Sequence, residues 1–171
     1  MIAALVEQKL AKSEREMGEN LDFVRDIYHA SPKAFLKFTQ FIPLTRHRKQ
    51  APPAAYFIAR LVAVQAEDCG PCVQTAVNQA LEAGVPRELV AAALAGDDAT
   101  LGPKLSRVRR FAIAVARLDP TAEELRLELV QDYGQAAMVE IAICIATVRV
   151  FPALKRGLGR AQSCSQVLVR L

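Results

Sequence analysis

The residues in this chain best suited to chemistry stand together in Glu67-Asp68-Cys69-Gly70-Pro71-Cys72-Val73-Gln74, a Cys-x-x-Cys pair with two acids before it and a proline inside it. Proline lacks an amide proton and its ring clashes with the carbonyl four residues back, so it is accepted in a first helical turn and rejected in an interior. It also drives the preceding residue, Gly70, out of the helical region. A helix therefore has to begin between Asp68 and Pro71, with both cysteines in or beside its first turn. Unpaired amide protons and the positive end of the helix dipole lie there, and they favour a thiolate. Residues three apart share a helix face, so Cys69 and Cys72 are placed to close a disulfide.

Three readings of the pair stay open on the residues alone. It is a redox dithiol, half of a zinc site, or two small residues that pack at a helix start. Zinc would need ligands from another chain, because no second Cys-x-x-Cys and no His-x-x-x-His occurs, so we expect no metal and no organic cofactor. A redox dithiol is the favoured reading. Glu67 and Asp68 adjoin the pair and are its candidate proton acceptors, although a carboxylate so close also raises a thiol pKa, and Asp68 is equally a candidate N-cap. Gln74 and Asn78 follow on the same helix as possible hydrogen-bond partners.

The elements that must hold this stretch read as helices throughout. The chain has 171 residues, 52% of them hydrophobic, with no Trp and few other aromatics, which implies an aliphatic core of close-packed helices. A segment over 1–30 carries helical spacing, divided near Gly18 and Asn20. Ser31-Pro32 starts a short helix that ends at Pro43, and Arg46-His47-Arg48-Lys49 reads as a solvated loop. The pattern from Ala54 to Ala66 is apolar on most sides, so a buried helix leads into the cysteine pair. Gly84 stops the helix that leaves it, another short helix ends at Gly96, and 103–118 forms an amphipathic helix. Thr121 and Glu124 suggest a capping box. The segment from Met138 to Phe151 is almost wholly apolar except for Glu140 and Arg149, and a pairing of Glu140 with Arg149 or Arg60 is expected. No alternating strand pattern competes. The fold class is all-α, a bundle of about eight helices in a single domain, with N-terminal helices over 1–50, a core over 51–155 and a basic tail over 156–171.

Charge and termini narrow the setting. The net charge of +4 is spread along the chain, without interleaved aromatics or a nucleic-acid motif, so no nucleic-acid partner is expected. Glu140, Arg149 and Arg60 interrupt the longest apolar stretches, so no membrane span is expected, and the first residues lack the pattern of a secretory signal. Four cysteines without such a signal point to a reducing, cytoplasmic setting, where a catalytic disulfide is more at home than a structural one. His29, His47 and Cys144 read as bystanders, the histidines solvated and the cysteine in the core. Cys164, in the tail, is a minor candidate for a resolving thiol.

Taken together, Cys69-Gly70-Pro71-Cys72 and the run Ala80-Leu81-Glu82-Ala83-Gly84-Val85-Pro86-Arg87-Glu88-Leu89-Val90-Ala91-Ala92-Ala93-Leu94 make the chain resemble the carboxymuconolactone decarboxylase and alkylhydroperoxidase D-like superfamily over roughly 50–155. That resemblance implies an all-helical homo-oligomer of the alkylhydroperoxidase D-like type. In members with the cysteine pair it implies reduction of a peroxide or disulfide substrate, with Cys72 as nucleophile, Cys69 as resolving thiol and a dithiol protein as reductant. The helix-start argument alone leans the other way, towards Cys69 as the more exposed attacker. Two positions differ from the family's peroxidase pattern: Ala76 stands where a histidine follows the second cysteine, and Phe57 where a glutamate precedes the first. The expected activity is that of a thiol–disulfide oxidoreductase or weak peroxidase. The alternative, which the absent histidine and glutamate favour, is a non-catalytic helical oligomer acting as a binding or assembly module.

Overall fold

The computed structural model describes residues 2–17, 19–160 and 170–171, and among these every regular element is helical. The order is α1 (Ile2–Met17), α2 (Asp22–Ala30), α3 (Pro32–Phe41), a 3-10 turn (Ile42–Arg46), α4 (Pro53–Gln65), α5 (Gly70–Glu82), α6 (Arg87–Ala95), α7 (Asp98–Arg117), α8 (Ala122–Tyr133), α9 (Gln135–Val148) and α10 (Val150–Gly157). The all-α expectation holds. The count exceeds eight partly because 1–30 divides into two helices and the last apolar segment turns at Arg149 into a further one.

Helix α4 is the axis of the fold, packed against α5, α6, α7 and α9. Ala55, Ala59 and Ala63 recur every four residues and are fully buried, so neighbouring backbones approach closely along that row. Ile58, Leu61 and Val64 fill the remaining sides, and burying each contributes about 1.5–3 kcal/mol. Helix α9 lies on this core with Met138, Ile141 and Ile145 buried. The stretch Gln135–Gly157 is long and apolar enough to cross a membrane, although the sequence reading expected no span, and half of its most apolar window is buried inside the fold. Its packing on α4 accounts for that apolarity.

Glu140 does not pair with Arg149 or Arg60. Its carboxylate accepts the backbone amides of Lys49 (2.9 Å), Gln50 (2.9 Å) and Ala51 (2.8 Å), closing the basic loop onto α9. Burial would raise its pKa, but those amide donors, aided by His47, hold it below the ordinary value. Arg149 pairs instead with Glu67, at 2.6 Å. Thr121 also differs from expectation: it makes no cap bond, and its hydroxyl and amide both donate to Asp119. Ser31 caps α3 as expected, accepting the Ala34 amide at 3.2 Å.

A second apolar cluster forms where α1, α2 and α3 meet α10. Leu10, Leu21, Phe23 and Val24 are buried there, with Phe38, Phe151 and Leu154 against them. Arg25 ties α2 back to α1 through Glu7 and Glu14, and Glu14 also accepts the Leu21 amide at 2.8 Å. This arrangement fixes the α1–α2 turn, which carries Glu19. Phe151 lies edge-on to Phe38 at 6.1 Å and anchors α10, which carries Lys155.

Candidate functional site around Cys72

The turn between α4 and α5 follows from the residues in it. Helix α4 ends in tight turns, with Glu67 and Asp68 amides donating to Val64 and Gln65 carbonyls, both at 3.1 Å. Asp68 then takes φ +50°, a left-handed conformation that Asp tolerates better than most residues, and the chain reverses. Helix α5 begins at Gly70 with Pro71 in its first turn and Cys69, not Asp68, at the N-cap position. The break that proline demands is therefore where the sequence places it.

Cys69 and Cys72 are joined as a disulfide. They are not equivalent. Cys69 is 1% exposed, packed into the main core, whereas Cys72 is 7% exposed and forms part of the wall of a cavity of about 640 Å³. The helix-start inference that Cys69 is the more open sulfur is thus reversed. It failed because the N-cap residue is drawn under the α4–α5 turn, while the residue three later faces the cavity.

Three polar side chains gather at Cys72. The Lys155 ammonium nitrogen lies 3.6 Å from Cys72 Sγ, and Glu19 Oε1 lies 3.9 Å from it. Lys155 and Glu19 form an ion pair with each other. Thr75, one turn along α5, donates its hydroxyl to Glu19 Oε2 at 2.7 Å. Lys155 also sits 5.2 Å from the centroid of the Phe23 ring, so an aromatic face shields it on one side. The sulfur thus has a cation and a carboxylate beside it, the carboxylate held by a hydroxyl, at the edge of an apolar cavity. In such a setting the ammonium attracts a thiolate, the carboxylate opposes it, and the pair can return a proton to a leaving oxygen.

The other sequence candidates lie elsewhere. Glu67 is bound to Arg149 at 2.6 Å and to Arg156 at 2.5 Å. Burial would raise its pKa, and the two guanidinium groups overturn this and hold it low, so it acts as an anchor for α9 and α10 rather than as a proton acceptor. Gln74 bonds Asn78 at 2.9 Å and exchanges two hydrogen bonds with the backbone of Arg170. Cys144 is fully buried, and burial pushes its thiol pKa up. His29 and His47 face Glu7 and Glu140 respectively. Cys164 lies outside the described residues. No group of three or more His, Cys, Asp or Glu side chains suited to a metal ion occurs among the described residues.

Sequence reasoning missed Glu19, Thr75 and Lys155. Thr75 was within reach, since positions 72, 75, 76 and 79 share one face of α5. Ala76 lies on that face too, where the family's peroxidase pattern has histidine, and its small side chain also lines the cavity. Glu19 and Lys155 come from opposite ends of the chain and carry no local signal. A family model, the carboxymuconolactone decarboxylase family, matches residues 32–114. The match begins earlier than the resemblance read from the sequence and spans α3 to most of α7, cysteine pair included. Neither the curated proteins nor the solved structures include one that matches. With the all-helical core and the Cys-x-x-Cys helix start in place, that match supports the resemblance to the carboxymuconolactone decarboxylase and alkylhydroperoxidase D-like superfamily.

Proposed function

We propose that this protein is a thiol–disulfide oxidoreductase with peroxidase-type activity, in which Cys72 attacks and Cys69 resolves. The observation that carries this reading is the position of Cys72 Sγ on the cavity wall, 3.6 Å from Lys155 Nζ, beside Glu19 and Thr75. In the reduced state the Cys72 thiolate attacks the outer oxygen of a hydroperoxide. The O–O bond breaks, Cys72 becomes a sulfenic acid, and the departing alkoxide takes a proton from the Lys155–Glu19 pair to leave as an alcohol. The Cys69 thiol then attacks the Cys72 sulfur. The S–O bond breaks, the hydroxide leaves as water with the Cys69 proton, and the disulfide closes. A dithiol partner reduces that disulfide by exchange and is itself oxidised. Lys155 and Glu19 take the place of the histidine and glutamate that the family's peroxidase pattern would supply. A reducing compartment suits this cycle, because it keeps the dithiol available.

The test is a thiol count with sulfenic-acid trapping. Reduced wild-type protein treated with a stoichiometric hydroperoxide is expected to lose two thiols per chain and recover them with a dithiol. Cys69→Ser is expected to accumulate a trappable sulfenic acid at Cys72, and Cys72→Ser to lose the fast reaction. Thiols that stay silent towards hydroperoxides and disulfides alike would overturn the enzyme and favour the helical binding module.

A further inference from the structure

The cavity beside Cys72 has a second end, and its chemistry is different. Arg60 projects from α4 into the wall between the core and the N-terminal helices, and the residue is 6% exposed. Its Nη1 donates to the Thr45 carbonyl at 2.9 Å, it touches the Cys144 thiol, and its Nε has no partner. Among the described residues no carboxylate is ion-paired with it. A guanidinium is always charged, and burying one without an anion is costly. Arg60 also lines a neighbouring cavity with Arg46 and Arg48.

The rest of the wall defines what an anion held by Arg60 would be attached to. Leu10, Phe23, Phe35, Phe38 and Phe151 line the Cys72 cavity, and its volume of about 640 Å³ lies in the range of small-molecule sites. Four cations line it, Lys9, Arg46, Arg60 and Lys155, against two carboxylates, Glu16 and Glu19. Glu19 is already answered by Lys155 and Thr75, and Glu16 by Lys12 at 3.7 Å. Lys9 and Arg46 are exposed, which leaves Arg60, among the described residues, as the one buried cation without a carboxylate, facing a hydrocarbon lining.

We infer that this cavity binds a long-chain monocarboxylate, its carboxylate on Arg60 and its hydrocarbon chain along the Leu10–Phe38–Phe151 wall. The oxidant reduced at Cys72 is accordingly a hydroperoxide of such an acid, in preference to hydrogen peroxide. The first half stands on the cavity alone, and the second rests on the dithiol cycle proposed above. The bound acid lies with its chain past the sulfur, so that an O–O group carried on the chain reaches Cys72 while the carboxylate stays on Arg60.

Calorimetry on the oxidised full-length protein tests the binding half, with decanoate, decanol and butyrate as probes. Decanoate is expected to bind, and decanol and butyrate each about tenfold or more weaker, since one lacks the charge and the other the chain. Arg60→Gln is expected to lose decanoate selectivity over decanol, while Cys72→Ser keeps it. If Arg60→Gln fails to fold, the acid-to-alcohol ratio in the wild type decides. Equal affinity for decanoate and decanol, or no affinity for either, overturns the inference. For the second half, reduced protein is expected to react about tenfold or more faster with a fatty-acid hydroperoxide than with hydrogen peroxide. Equal rates with the two oxidants overturn that preference and leave the dithiol cycle standing. Decanoate binding without any thiol oxidation overturns the dithiol cycle and leaves the carboxylate site standing.

Discussion

Replacing Lys155 or Glu19 should move the Cys72 thiol pKa in opposite directions. At an effective dielectric of about 20, unit charges 3.6 Å apart interact by about 4.6 kcal/mol and charges 3.9 Å apart by about 4.3 kcal/mol. Lys155 attracts the thiolate and Glu19 repels it, so in the intact site the two almost cancel. Each alone corresponds to about three pH units, and water entering the cavity and side-chain relaxation reduce that to about one to three. Lys155→Met should therefore raise the pKa of Cys72 by about one to three units, and Glu19→Gln should lower it by a similar amount. The double variant should return close to the wild-type value, because the two opposite shifts cancel when added. The measurement is the pH dependence of alkylation in reduced protein. A Cys69→Ser, Cys164→Ser background leaves Cys72 with only Cys144, whose buried thiol is pushed up and stays out of the titration. If the two single variants shift the curve in the same direction, or neither shifts it, the charges do not act on this sulfur and the reasoning fails.

Three further outcomes follow from the same contacts. Glu67→Gln should weaken the attachment of α9 and α10 by about 1–2 kcal/mol in denaturant melts, because two guanidinium partners lose their anion, yet leave the Cys72 alkylation curve in place. A large displacement of that curve would restore Glu67 to the proton relay. Glu140→Gln should cost about 2–3 kcal/mol, because charge-assisted bonds to three loop amides are lost and an NH2 group faces amide donors, and a melt within about 0.5 kcal/mol of wild type would refute this. The Arg25 guanidinium and the Leu21 amide hold the Glu14 carboxyl at about 2, below its ordinary 4.5. Its stabilisation is therefore complete above the ordinary value and fades as pH falls from there towards the folded value. After allowance for solvent it amounts to about 1 kcal/mol, so Glu14→Gln should flatten the acid limb of the stability profile by that much, and an unchanged limb would count against the contact.

The parts of this architecture that a reader of the sequence can see are those governed by local rules. Pro71 sets the start of α5, Ser31-Pro32 sets the start of α3, and Gly84 ends α5 at φ +80°. The apolar run from Ala54 to Ala66 gives away the central helix. Readings failed where a residue's partner lies far along the chain. Glu140 in an apolar helix suggested an arginine, but the oriented amides of 49–51 were nearer and satisfied both oxygens. Glu67 stood next to the cysteines in sequence, yet Arg149 and Arg156 hold it. Lys155 read as the last residue of the core, at the border of the basic tail, and only the docking of Phe151 on Phe38 turns it towards Cys72. Glu19 depends in the same way on Arg25 drawing α2 onto α1. The relay beside the sulfur is a product of tertiary packing between the two ends of the chain, to which spacing rules are blind.

The most direct test follows the tryptic peptide Leu61–Arg87, which contains Cys69 and Cys72 and no other cysteine. Reduced protein is given one equivalent of an organic hydroperoxide and then an excess of dithiol, and the peptide mass is read after each step. The expected result is a loss of two hydrogens on oxidation, their return on reduction, and a rate of loss that falls in Lys155→Met near neutral pH. A peptide that keeps both hydrogens in the presence of hydroperoxide, or a disulfide that no dithiol opens while the protein stays folded, would contradict it.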